Sequence, residues 1–197
     1  MSGTRRDPAG RRREIVAAMA DLMCHGEPKI THRRVAQHAG VPLGSTTYYF
    51  ASLDDLRSAA LEFLAEKVDA DLAETAELLD ASDGSPETVA AMFHDYLSDA
   101  ERVRTELVLY SASLARPELA VVSRRWFSGL VDLLSRLTDR RTALTMAVFV
   151  DGACMHAALN DEPLDLPLLQ DLTRSLMTGT ADRPRLRAPE ETEPRTS

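Results

Sequence analysis

Thr31-His-Arg-Arg-Val-Ala-Gln-His-Ala-Gly-Val-Pro-Leu-Gly-Ser-Thr-Thr-Tyr-Tyr-Phe50 reads as two short helices joined by a tight turn. Ala36 and Gly40 stand four residues apart. A small side chain at Ala36 lets the second helix cross closely, and Gly40 can take the positive φ of a sharp turn without a Cβ penalty. Val35 and Val41 supply the apolar contacts beneath. Thr31 sits where an N-cap belongs, its hydroxyl able to meet a first-turn N–H or a phosphate, and Pro42 suits the first turn of a new helix. The second helix is predicted over Pro42 to Tyr48. Its outward positions carry Leu43, Gly44, Ser45, Thr46, Thr47 and Tyr48, small or hydroxylic groups that can reach base edges, thymine methyls and phosphates in a major groove. With Thr31, His32 and Arg33 at the head of the first helix, and Pro42 and Tyr49 flanking the second, these are the expected DNA contacts.

Outward from this stretch the apolar pattern stays helical. Ile15, Ala18, Met19, Leu22 and Met23 form one stripe of a first helix that ends near Gly26, before Pro28. Ser52 with Asp55 three residues on is an N-terminal signature, and Leu53, Leu56, Ala60, Phe63, Leu64, Val68, Leu72 and Leu79 sustain a stripe for about 28 residues. Ser85-Pro86 starts another helix after a loop, Arg116-Pro117 breaks the chain again, and further helices are predicted over Arg140–Asn160 and from Pro167 to about Met177. No β-type alternation persists, so the fold expected is all-α, about nine helices. The expected division is a helix-turn-helix domain over 1–50 and a helical domain over 51–180, with the helix from about 52 to 80 bridging them. The Pro-, Glu- and Arg-rich tail over 181–197 is predicted disordered.

The motifs resemble those of the tetracycline-repressor (TetR) family of one-component bacterial regulators. The likeness runs from about Arg11 to Leu64, through Ile30-Thr31, Val35-Ala36, Ala39-Gly40-Val41, Gly44-Ser45, Tyr48-Tyr49-Phe50 and Ser52-Leu53-Asp54-Asp55-Leu56. It implies that Thr31 contacts phosphate, Gly44 allows close approach, Tyr48 anchors a phosphate and Phe50 plugs the core of the DNA-binding domain. Thr46 and Thr47 replace the leucine and first tyrosine common there, and Leu53 stands where many members carry a phosphate-binding lysine. Beyond about residue 70 the resemblance is architectural. It implies a homodimeric repressor, released from a palindromic operator on double-stranded DNA by a small apolar or amphipathic effector.

Charge is divided along the chain. Residues 1–50 hold eight basic and four acidic side chains, a net +4, which leaves −12 for the rest of a chain whose total is −8. A basic head on an acidic body still binds phosphate through local contacts, with sharpened salt dependence. Two widely separated cysteines and no apolar leader predict a soluble, cytoplasmic protein, and no run approaches the ~20 apolar residues of a spanning helix.

In the body, Phe93, Tyr96, Tyr110, Trp126, Phe127 and Phe149 are the candidate ligand contacts, Tyr and Trp preferred because each adds a polar atom to an apolar ring. His94, Asp151, His156 and Asn160 are candidate polar orienters. Leu144, Ala147, Val148, Val150, Ala153, Cys154, Ala157 and Ala158 put small and apolar residues on more than one face of the 140–160 helix. That helix and the last are the expected dimer interface, against the alternative of a central helix buried within one subunit. His25, His32 and His38 lack ligand spacing, so neither a metal nor another cofactor is expected. No nucleophile or nucleotide motif supports an enzyme, and no catalytic residue is assigned. The remaining reading is a helical module whose acidic body binds a protein partner, with DNA binding secondary.

Overall fold

The computed structural model describes residues 7–179. Among them are nine α-helices and no strand: α1 (Pro8–Cys24), α2 (His32–His38), α3 (Leu43–Tyr49), α4 (Leu53–Asp80), α5 (Pro86–Ser98), α6 (Ala100–Ala115), α7 (Pro117–Leu134), α8 (Arg140–Asn160) and α9 (Leu166–Thr178). The predicted tail over 181–197 lies outside the described residues.

Local chemistry sets most of these boundaries. Gly26 and Gly40 take positive φ after α1 and α2. After α2 the Gly40 N–H bonds Gln37 and the Val41 N–H bonds Ala36, the paired bonds of a Schellman ending. Ser52 and Asp55 cap α4 reciprocally, each side chain accepting the other's backbone N–H at 3.0 Å. Asp99 both ends α5 and opens α6, its carboxylate accepting from the N–H groups of Glu101 and Arg102.

Two apolar cores result. The first gathers Ile15, Met19, Met23, Val35 and Phe50 with Leu56 and Ala60 of α4, and also takes Ala112 and Leu119 from the α6–α7 corner. The second lies among α5 to α9, around Phe93, Leu97, Leu130, Met146 and Leu169. A small cluster of Val68, Val122 and Trp126 sits between them along α4. At 28 residues and ~1.5 Å per residue, α4 runs about 42 Å past both cores.

One expectation is corrected here. The helix α8 is long and apolar enough, by length and composition, to match a membrane-spanning helix. Its apolar character has a different explanation: one face is buried in the second core. The expected interface residues do lie on more than one face of α8. Ala147, Val150, Ala153, Cys154 and Ala157 point into this core, whereas Leu144, Val148, Met155 and Leu159 form an exposed apolar stripe on the opposite face.

Candidate functional site

The α2–α3 pair carries the first candidate surface. Thr31 caps α2, its hydroxyl oxygen accepting the Arg34 N–H at 3.2 Å, so its own proton can be donated outward. Arg34 gives two hydrogen bonds to the Glu27 carboxylate, at 3.0 and 3.1 Å, and is thereby turned to the partly exposed contact between α2 and the α1–α2 loop. Arg33 is exposed, and the half-buried His32 has its Nδ1 shut from solvent without a partner. On α3, Pro42, Leu43, Gly44, Thr47 and Tyr48 are exposed, Tyr48 at 81%, with its ring edge-on to Tyr49. Ser45 and Tyr49 are half-buried. The exception is Thr46, expected as a contact. It is fully buried with its hydroxyl donating to the Leu43 carbonyl at 2.8 Å. The helix turns 46 inward because 46 shares its side with the buried Phe50, four residues on.

The body encloses the second candidate site. A cavity of about 250 Å³ is walled by Leu78, Leu79, Met92, Phe93, Leu130 and Leu134, among others. A second, more open lobe of about 380 Å³ is walled by Leu64, Val68, Leu109, Tyr110 and Ser123. Tyr96, Arg102, Glu106 and Trp126 line both lobes. The rings of Tyr96 and Trp126 stack with centroids 6.2 Å apart. Phe127 lies instead in a separate shallow groove with Tyr110 and Asp151, and Phe149 packs against the core and lines neither lobe. These two expected ligand contacts therefore fall outside the two lobes. His156 and Asn160 bond one another on the exposed end of α8, and His94 lines neither lobe.

Sequence reasoning missed Glu106, the carboxylate at the centre. It accepts hydrogen bonds from the Tyr96 hydroxyl and from the Cys154 thiol, the latter at 3.8 Å. The Trp126 N–H has no hydrogen-bond partner of sound geometry, yet it is close enough to favour the charged carboxylate. Burial outweighs these donors and raises the Glu106 carboxyl above the ordinary range. Asp151, accepting from the Tyr110 hydroxyl at 3.3 Å, is pushed up to about 6, chiefly by burial and then by the charge of Glu106. Burial likewise raises the Tyr96 and Tyr110 hydroxyls and the Cys154 thiol.

Residues 83–183 match the family described as tetracyclin repressor-like, C-terminal domain. The chain belongs to the TetR family. A curated relative, the HTH-type transcriptional regulator BetI of Escherichia coli, is 29% identical over 183 residues, covering 85% of this chain and 92% of its own. Among solved structures, the multidrug binding protein EbrR complexed with imidazole is 34% identical at a TM-score of 0.65, over 90% of this chain and 98% of that one. A TetR member from Streptomyces coelicolor A3 is 35% identical, also at 0.65, over 85% and 98%. EbrR has further been solved with proflavin, at 36% identity and a TM-score of 0.63 over 84% of this chain and 99% of its own. As a TetR member the chain is a DNA-binding transcriptional regulator, not an enzyme, built from a helix-turn-helix and a helical C-terminal domain.

Proposed function

We propose that this TetR regulator is a cytoplasmic homodimeric repressor that reads a palindromic operator with paired α3 helices. A small apolar or amphipathic effector, entering the cavity among α4 to α7, releases it. The functional division runs near residue 50, with α4 belonging to both parts. The observation that carries the reading is the outward face of α3, where Leu43, Gly44, Thr47 and Tyr48 are exposed beside the capping Thr31. A one-and-a-half-turn helix with so little bulk can sit deep in a major groove.

Transmission has a physical route. The Arg116 guanidinium, at the α6–α7 corner, donates to the Glu27 carbonyl at 2.6 Å, and the Glu27 carboxylate holds Arg34 of α2. Ala112 and Leu119 from the same corner pack into the first core. Helix α6 also carries Arg102 and Glu106 into the cavity, so a displacement of α6 by a ligand shifts the footing of α2 and α3. Coupling is reciprocal: an effector that favours the non-binding arrangement binds less tightly to operator-bound protein, by the same factor. EbrR, complexed with ethidium and malachite green, supports a cavity that takes aromatic dyes.

Selection from a random duplex library followed by gel shift tests the reading. The expected product is an inverted repeat with half-sites about 34–36 Å apart or a multiple of that. Tyr48→Phe and Thr31→Ala each weaken retention by ~10-fold, the value of one charge-assisted phosphate contact. Equal retention of scrambled duplex refutes it.

A further inference from the structure

We infer that the effector is an organic cation with delocalised charge, that Glu106 is its charge partner, and that Arg102 is the resident cation it displaces. This rests on reading the α4–α7 cavity as the effector site. Glu106 faces both lobes, and among the described residues no Lys, Arg or His comes within ion-pair distance of it. Its partners are neutral donors, the Tyr96 hydroxyl and the Cys154 thiol. A carboxylate in an apolar enclosure without a counter-charge is costly, and a cation brought by a ligand removes that cost.

The rings beside it fit a flat cation. Tyr96 and Trp126 lie stacked at an interplanar angle of 18°, next to the carboxylate. The Arg102 guanidinium already sits 4.9 Å from the Tyr96 centroid, which shows that this ring face receives a planar, delocalised charge. Arg102 is held there loosely, by Glu74 at 3.6 Å and Asp71 at 4.0 Å, both on α4 and both about half exposed. It can swing outward to these partners while a ligand takes the ring. Five carboxylates line the more open lobe against Lys67 and Arg102, so the surrounding field favours cations over anions.

Fluorescence titration of the full chain without DNA tests the proposal, using proflavin, a cation at neutral pH, and acridine, the same tricycle without charge at that pH. Proflavin is expected to bind ~10-fold or more tightly than acridine. Glu106→Gln abolishes that preference by weakening proflavin ~10-fold while leaving acridine within ~3-fold, and Arg102→Gln strengthens proflavin a few-fold. Proflavin affinity also rises from acid to neutral pH, as the Glu106 carboxyl, raised by burial, and that of Asp151, at about 6, shed their protons. The other groups facing Glu106 are Tyr96 from α5, Arg102 and Tyr110 from α6 and Cys154 from α8, with Asp71 and Glu74 beyond Arg102 on α4. The tyrosines and the thiol keep their protons throughout this range.

Absent or equal binding of proflavin and acridine to the unmodified chain overturns the proposal, and so does an Arg102→Gln variant that loses proflavin. A gel shift with the selected operator separates this from the effector reading. If acridine releases DNA as well as proflavin does, the cavity controls the operator but not through a cation. If proflavin binds selectively through Glu106 without releasing DNA, the cation site stands and the effector role fails.

Discussion

Thr46 shows how one hydroxyl is allotted between groove and core. It lies among Leu43, Gly44, Ser45, Thr47 and Tyr48, yet it is the one residue of α3 that is fully buried, and its proton goes to the Leu43 carbonyl. Thr46→Val keeps the shape and deletes that bond, so the expected loss is ~1 kcal/mol of stability with operator affinity of the folded protein changed less than ~3-fold. Thermal melting and gel shift on the same preparation check this. Weakened DNA binding with unchanged melting would return the hydroxyl to the groove. The composition of the stretch was readable, but the phase of a two-turn helix was not, because seven residues give too few apolar positions to fix which side faces in. Glu106 was readable in part. It follows Val103 by three and precedes Tyr110 by four, which puts a carboxylate on the inward stripe of α6. What it meets there, Tyr96 from α5, Trp126 from α7 and Cys154 from α8, is decided by tertiary packing that no local pattern encodes.

Helix ends were legible wherever a backbone device marks them. Ser52 with Asp55, Ser85-Pro86, Arg116-Pro117 and the left-handed Gly40 each place a boundary by hydrogen bonding or by φ. The α5–α6 break was not marked by Gly or Pro, since Asp99 alone makes it. Closeness between helices is also hidden from the sequence. Gly129 of α7 faces Leu72 of α4 so tightly that an added Cβ would lie 2.3 Å from Leu72 Cδ1 and 3.2 Å from its Cγ. Gly129→Ala therefore has to push α4 and α7 apart or force Leu72 off its rotamer, at ~1–3 kcal/mol. Because α4 also supplies Leu56 and Ala60 to the first core, the same variant is expected to alter operator affinity as well as the melting temperature. An unchanged melting temperature would show that Leu72 swings aside freely and that the α4–α7 approach is not a constraint. The Arg125–Asp69 pair joins the same two helices, but both side chains are about half exposed, so it adds little rigidity.

At the scale of the molecule, two apolar cores joined by α4 carry an uneven load of charge, and the body's buried acids set a pH dependence. Asp151 is raised from 3.8 to about 6, so the folded state holds a proton that the unfolded chain releases over that interval. Its contribution to stability is full below about pH 3.8 and is lost as pH rises through about 6. Asp151→Asn mimics the protonated form, so the variant's advantage in melting temperature over the parent is expected to grow between these values and then level off. A constant difference across the interval would mean that Asp151 is not titrating there. The outer face of α8 bears on assembly. Leu144, Val148, Met155 and Leu159 lie at spacings of four, seven and four, and Leu159 is 79% exposed. An apolar stripe of that length on a lone subunit marks a binding surface, and two-fold pairing would bury it against itself. Val148→Arg is already outward-facing in one subunit, so the fold should lose no more than ~0.5 kcal/mol. In a two-fold interface the new charges from both copies would be brought together and desolvated. Sedimentation velocity should then show a monomer, and operator affinity should fall by ~100-fold, because the second half-site is no longer engaged within one assembly. A Val148→Arg protein that sediments as a dimer would move the interface away from α8.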